Sequence, residues 1–244
     1  MSGEEKRYFF ISDIHLGLER KEKEKLKEDK LIAFLDFASK NCDELFIMGD
    51  LFDYWFEYKR VYQKGYFRTF NALYNLVQSG VKVHYFIGNH DFLHRDFFEE
   101  ELGIKLYHSE VSLTLNGKKF YLGHGDGMVK NDYGYMVVKK VLRNRFAQWL
   151  FSIIHPDLGI KIASGTSKKS RGYTSKKDYG ELDGLTEKAK EMIDAKHDFV
   201  IFGHLHSRKF IKYKHGVYIN LGTWLKEPCY GKYANDNFEI INLK

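Results

Sequence analysis

Short apolar runs recur along the chain, and each stops abruptly in polar residues: RYFFISD, LFIMGD, VHYFIGNHD, KFYLGHGD and FVIFGHLH. Each is strand-length and rich in aromatic and β-branched side chains. Between several of them the apolar spacing changes to a helical period, near 29–40, 65–79, 95–102 and 183–195. This alternation predicts an α/β fold with partly parallel sheets. VSLTL-NG-KKFYL (111–122) predicts a hairpin, because Asn-Gly fits a type I′ turn, and FIKYK-HG-VYINL (210–221) reads the same way. The run ERKEKEKLKEDK (19–30) is mixed in sign and reads as a solvated loop or helix face with no special role.

Residues 131–180 break the rhythm. Tyr135 to Ile154 read as helical, with Val137, Val138, Val141, Leu142, Phe146, Trp149, Leu150 and Ile153 on one apolar stripe. Lys139, Lys140, Arg143 and Arg145 flank that stripe. The segment reads as a cap inserted into a single domain that spans 1–244.

Composition sharpens this picture in three ways. With 244 residues, 43% of them hydrophobic, the chain can bury a sizeable core without covalent staples. Cys42 and Cys229 give neither a disulfide framework nor a metal-binding spacing, so a reducing compartment is expected. The N-terminus lacks the apolar run of a signal peptide, and no stretch approaches the roughly 20 apolar residues that span a bilayer. The expected location is cytoplasmic or peripheral on a membrane. The net charge of +6 is also unevenly placed: residues 130–178 hold 11 Lys/Arg against 3 Asp/Glu. An anionic partner is expected there.

The chemistry gathers at the strand ends. Asp13 and His15 lie in SDIHLG, Asp50 in MGDLFD, Asn89 and His90 in GNHD, His124 in GHGD, and His204 and His206 in GHLH. In open α/β sheets, functional groups collect beyond the carboxyl ends of strands. Carboxylate and imidazole suit Mn, Fe or Zn, and a carboxylate can bridge two ions. On an extended chain, Asp-x-His and His-x-His point both side chains the same way, the spacing for clamping adjacent metals. Gly49, Gly88, Gly123, Gly125 and Gly203 beside these residues permit tight turns and close backbone approach. A lone Asp-x-His is usually a surface turn; five such ends in order leave that reading little room.

The order D-x-H, GD, GNHD, GH, GHxH resembles the signature of the calcineurin-like metallophosphoesterase family over residues 8–206. The resemblance implies a β-sandwich of two mixed sheets flanked by helices, with a dinuclear metal centre. It implies that Asp13, His15, Asp50 and His206 hold one divalent ion and that Asp50, Asn89, His124 and His204 hold the other, with Asp50 bridging. His90 would meet the substrate phosphate and Asp91 would orient His90.

Within the family, GDLFDYWF (49–56), GHGD followed by NDYGY, the basic-apolar segment and NLGTW (220–224) resemble the UDP-2,3-diacylglucosamine hydrolase branch of lipid A synthesis. That branch implies Mn²⁺, a lipid-linked nucleotide split to UMP and 2,3-diacylglucosamine 1-phosphate, and work at the cytoplasmic face of the inner membrane. Asn89, His90, Asp132, Tyr135, Ser167, Lys168 and Arg171 would then contact substrate, and the cap would meet the anionic membrane surface. Many enzymes of the branch read GNRD where this chain has GNHD. The alternatives are a soluble substrate (a phosphoprotein, dinucleoside polyphosphate or cyclic nucleotide), a nuclease, or a fold that has lost its metals. A nucleic-acid groove would spread its charge along a track, so no specific nucleic acid is expected. Tyr54, Trp55 and Phe56 fit core packing at least as well as substrate contact.

Overall fold

The structure is a computed structural model that describes residues 5–128, 144–159 and 184–243. In chain order its first elements are β1 (Tyr8–Ile11), α1 (Lys21–Asn41), β2 (Glu44–Ile47), α2 (Phe67–Gln78), β3 (Lys82–Phe86), a π-helical turn (Phe97–Glu101) and β4 (Lys105–Tyr107). There follow β5 (Val111–Leu115), β6 (Lys118–Leu122), α3 (Arg145–Ile153), α4 (Gly184–Asp194), β7 (Phe199–Phe202), β8 (Lys209–Tyr213), β9 (Gly216–Asn220), β10 (Cys229–Ala234) and β11 (Asn237–Asn242).

The strands form two mixed sheets. One has the order β11-β10-β1-β2-β3-β4, with β1 to β4 parallel and β10 and β11 antiparallel; the other has the order β5-β6-β7-β9-β8. In the second sheet β6, β7 and β9 are parallel. Side-chain alternation explains the layering. Phe9 and Ile11 of β1, Leu45 and Ile47 of β2, and Val83 and Tyr85 of β3 face the helix side, where Leu31, Phe34, Leu35 and Ala38 of α1 and Phe70, Leu73 and Leu76 of α2 cover them. Their neighbours Tyr8, Phe10, Phe46 and Phe86 point the other way, against Phe120, Leu122, Ile201 and Ile219 of the second sheet. Phe10 and Phe46 stack with centroids 5.0 Å apart. Val200 and Phe202, on the outer face of β7, pack under Leu185, Ala189 and Ile193 of α4. Strands buried on both faces are why the sequence shows unbroken apolar runs there.

Two expectations need correction. The charged run 19–30 is the first half of α1, which starts at Lys21 rather than near 29, and Lys27 in it is buried. The helix read from Tyr135 to Ile154 does not run through Asn144, which has extended backbone and whose side chain accepts from the amides of Phe146 and Ala147, both at 3.0 Å, so α3 starts at Arg145. Residues 129–143 and 160–183, most of the expected cap, lie outside the described residues. The Asn116-Gly117 turn has both residues at positive φ, as type I′ demands. The β8–β9 turn falls on Lys214 and His215, one residue earlier than His-Gly indicated. Tyr54, Trp55 and Phe56 are all buried, as core packing predicts.

His94 is enclosed by aromatic rings, with centroids 5.0 Å from Tyr85 and 4.7 Å from Phe98. Burial pulls its pKa down to about 3. The unfolded chain protonates this imidazole near its ordinary 6.5, and the folded chain does so only near 3. Stability is therefore lost as pH falls through that window, with a slope approaching about 1.4 kcal/mol per pH unit. His94→Phe should hold its fold to lower pH in acid unfolding followed by circular dichroism. An unchanged acid midpoint would count against His94 as a source of acid sensitivity.

Candidate metal centre

Five parallel strands end at one edge of the sandwich, and the loops that follow them bring the polar residues together. β1 leads to Asp13 and His15, β2 to Asp50, β3 to Asn89 and His90, β6 to His124, and β7 to His204 and His206. These residues do not sit on extended chain. Among the described residues ten non-glycine positions have positive φ, and five of them are Asp13, His15, Asp50, His204 and His206. The left-handed backbone, not strand alternation, aims Asp-x-His and His-x-His inward. Asp and His tolerate this region better than most residues, at a cost of about 1–3 kcal/mol each.

The surrounding loops hold that conformation. His15 N donates to the Asp50 carbonyl at 3.0 Å, and Asp13 N to the Gly49 carbonyl at 3.1 Å. Thr223 Oγ1 and the Trp224 amide both donate to the Asp13 carbonyl, at 2.9 and 3.1 Å. Asn220 Nδ2 donates to the Gly203 carbonyl at 2.5 Å, so NLGTW braces both D-x-H and GHLH. A side chain at Gly88 would collide with Asp50, and one at Gly49 with His124.

Two clusters result. In the first, His15 Nε2 and His206 Nε2 are 2.9 Å apart, and Asp13 Oδ1 is 3.2 Å from His206 Nε2. Asp13, His15, Asp50 and His206 offer ligand atoms within 4.8 Å of one another. In the second, Asn89 Oδ1 lies 2.9 Å from His204 Nδ1 and 3.1 Å from His124 Nε2. Asp50 Oδ2 joins them, 3.8 Å from His15 Nε2 and 3.3 Å from His124 Nε2. That oxygen is buried and has no hydrogen-bond partner. His124 Nδ1 faces the Met48 carbonyl at 2.8 Å, so it carries a hydrogen and Nε2 is the nitrogen turned toward Asp50 and Asn89. An orphaned carboxylate oxygen between the two clusters, two imidazole nitrogens face to face, and an amide oxygen between two more imidazoles form a donor set that fits divalent cations.

The electrostatics agree. Burial opposes the charge on Asp50, but His124 and His90 outweigh it and hold the carboxyl well below the usual range. Burial likewise opposes the Asp13 charge and His206 overcomes it. Burial keeps His15 well below an ordinary imidazole, and burial followed by the neighbouring His124 takes His204 down to about 4. Those two rings are neutral and ready to ligate. Burial also opposes charge on His124, yet the Asp50 carboxylate raises it to about 10. A cation bound there takes over that neutralising role and displaces the proton.

Asp91 has a different place from the one expected. Its carboxylate accepts from Gly88 N at 2.7 Å, Leu51 N at 2.8 Å and the Tyr85 hydroxyl. It therefore ties GNHD to GDLFD rather than orienting His90. The group that meets His90 is Asp53: His90 Nδ1 lies 3.0 Å from the Asp53 carbonyl and 3.7 Å from Asp53 Oδ1, and His15 Nδ1 is also 3.7 Å from Oδ1. Asp53 was not singled out from the sequence, although its place three residues after Asp50 in GDLFD was the signal. The expected substrate contacts Asp132, Tyr135, Ser167, Lys168 and Arg171 lie outside the described residues.

Asp50→Ala should empty both clusters. Metal analysis after reconstitution with Mn²⁺ should then find less than a tenth of the wild-type content. Full occupancy of one cluster in that variant would remove Asp50 from the bridging position.

The family model for calcineurin-like phosphoesterases matches residues 6–208. A Porphyromonas gingivalis protein named UDP-2,3-diacylglucosamine hydrolase is 34% identical over 97% of each chain. A Yersinia pseudotuberculosis protein of the same name is 31% identical over 96% of this chain and 98% of its own. Among solved structures, an archaeal phosphodiesterase aligns over 97% of this chain and 99% of its own at 15% identity with a TM-score of 0.52, a likeness of fold. With two mixed sheets flanked by helices and an Asp/His cluster at the strand ends, this chain belongs to the calcineurin-like phosphoesterase family.

Proposed function

We propose that this chain hydrolyses the pyrophosphate of UDP-2,3-diacylglucosamine, releasing UMP and 2,3-diacylglucosamine 1-phosphate. The observation that carries the reading is the near full-length similarity to hydrolases named for that substrate, joined to a site that gathers Asp13, His15, Asp50 and His206 beside Asn89, His124 and His204. Asp13, His15, Asp50 and His206 would hold one ion and Asp50, Asn89, His124 and His204 the other, with Mn²⁺ suited to this mix of imidazole and oxygen donors. When bound, such a pair supplies Lewis-acid polarisation of phosphoryl oxygens and acidifies a water.

The chain's own residues do the rest. The Asp53 carbonyl only accepts, so His90 keeps its hydrogen on Nδ1 and presents Nε2 to the site. A proton held on Nε2 is placed to meet the charge that develops on the phosphoryl or leaving oxygen. The His90 amide donates to Asp50 Oδ1 at 2.9 Å, so GNHD positions the bridging carboxylate and the imidazole together.

Membrane contact through α3 belongs to the same reading. Phe146, Trp149, Leu150 and Ile153 are 66, 55, 47 and 63% exposed, while Phe151 packs on Phe56 at 4.6 Å and anchors the helix to the body. No helix among the described residues is long and apolar enough to cross a membrane. An exposed apolar face on a helix that falls within the cationic sequence stretch 130–178 suits the surface of an anionic bilayer.

With Mn²⁺ and detergent, the purified chain should release UMP from UDP-2,3-diacylglucosamine far faster than it splits a generic chromogenic phosphodiester. Diester hydrolysis without UMP release would withdraw the lipid substrate. His90→Asn should lower turnover by about 10²–10⁴-fold while bound metal stays at the wild-type level; loss of metal would reassign His90 to the ligand set. Trp149→Glu combined with Ile153→Glu should reduce co-sedimentation with anionic vesicles at least about tenfold and leave soluble diester hydrolysis unchanged. Wild-type sedimentation in that variant would exclude α3 as the docking face.

A further inference from the structure

Lys27 stands apart from the other lysines of α1. It is 6% exposed, in a helix half whose neighbours Lys21, Glu22, Lys23 and Lys25 all face solvent. Its Nζ donates to the His15 carbonyl at 2.6 Å and lies 3.3 Å from Glu24 Oε2. Burying an ammonium is costly unless it is paired and hydrogen-bonded, and a solvated helix face gains nothing from it. The partner it reaches is the backbone of a residue in the metal-ligand set, at φ 51.

The contacts around it have a common target. Glu24 accepts from Gly17 N at 2.7 Å and Glu19 N at 2.9 Å. Tyr66, from the start of α2, donates its hydroxyl to the Leu16 carbonyl at 3.3 Å. Leu16 N in turn donates to the Leu51 carbonyl at 2.9 Å, beside Asp50. Residues 15–19 are thus gripped from the helix side by Lys27, Glu24 and Tyr66, and from the sheet side by the Asp50 loop. Of the three helix-side groups, Lys27 is the one that bonds directly to the left-handed residue that must turn its imidazole inward; it holds the His15 carbonyl while the Asp50 carbonyl holds the His15 amide. Removing its ammonium leaves the His15 carbonyl buried and releases a strained backbone position.

We propose that Lys27 is a positioning residue for the metal centre, holding His15 in its left-handed conformation and so setting the affinity of the ion bound by Asp13, His15, Asp50 and His206. This rests on reading the Asp/His cluster as a metal centre and is independent of the organic substrate. The effect falls on one ion of the pair, because Lys27 bonds to the His15 carbonyl and pairs with Glu24, whereas Asn89, His124 and His204 are held by one another, by the Met48 carbonyl and by the Asp13 carboxylate.

The test is a Mn²⁺ titration of metal-stripped full-length protein, with bound ion counted per chain and thermal unfolding recorded on the stripped form. Wild type should take up two ions. Lys27→Met should take up one with unchanged affinity and the other at least about tenfold more weakly, the size seen when a group that orients a metal ligand is removed. Excess Mn²⁺ should restore its turnover with an unchanged KM. Lys27→Arg, which keeps a cationic donor, should recover most of the lost affinity. Lys27→Gln, a neutral donor, covers the case in which the methionine variant does not fold, and should show the same selective weakening. Two wild-type affinities in Lys27→Met or Lys27→Gln, with only a lower unfolding temperature, would overturn the proposal and leave Lys27 a packing residue. Equal weakening of both ions would overturn it as well. A wild-type chain that takes up no Mn²⁺ would overturn the metal-centre reading itself, a distinct outcome.

Discussion

The Asp50 carboxylate is the constraint around which the rest of the structure is arranged. It is 1% exposed, and its Oδ2 has no hydrogen-bond partner although it faces imidazoles from both sheets. An anion in that position is stable only with positive charge close to it. In the protein alone that charge comes from histidine, with His124 drawn up toward imidazolium. The geometry around Asp50 is shaped for something more compact than a ring. His15 and His206 turn nitrogens toward each other, and Asn89 sets an oxygen between His124 and His204. Divalent cations satisfy all of these groups at once.

Holding a carboxylate so deep requires rigid neighbours on every side. The two sheets supply them through alternate side chains: one face of β1, β2 and β3 is sealed by helices, the other by the second sheet. The parallel strands all present their carboxyl ends to the same edge, and each following loop carries part of the site. The loops are then fastened to one another. Asp91 pins GNHD to GDLFD, and the NLGTW segment pins the D-x-H loop to GHLH. Glu57 continues this on the far side, its carboxylate accepting from the amides of Arg95, Asp96 and Phe97. Strained backbone at Asp13, His15, Asp50, His204 and His206 persists because so many contacts over-determine it.

Much of this was legible in the sequence because it depends on local pattern. A strand buried on both faces must be apolar throughout, so the five runs marked five strands and their polar ends marked the site. Asn116-Gly117 marked its turn because few residue pairs accept positive φ twice. Local pattern failed where one residue meets another far along the chain. Asp91 adjoins His90 in sequence, yet its carboxylate is used by Leu51, forty positions away. Lys27 sits among other charges of α1, and nothing in the run 19–30 distinguishes the one that turns inward. On α3, by contrast, the stripe of Phe146, Trp149, Leu150 and Ile153 that the spacing marks is exposed, and Phe151, outside it, packs on Phe56.

The sequence by itself determined which residues could ligate a metal, that they lie at strand ends, and which family they resemble, because residue chemistry and strand periodicity are properties of the chain read in order. The tertiary structure decided how those residues are aimed. Side-chain direction at Asp13, His15, Asp50, His204 and His206 follows from a left-handed backbone that no extended spacing rule anticipates. That backbone is held by Lys27, Thr223, Asn220 and Asp91, whose partners become neighbours only on folding: α1 against the loop after β1, β3 beside β2, β9 beside β7, and Thr223 across the two sheets.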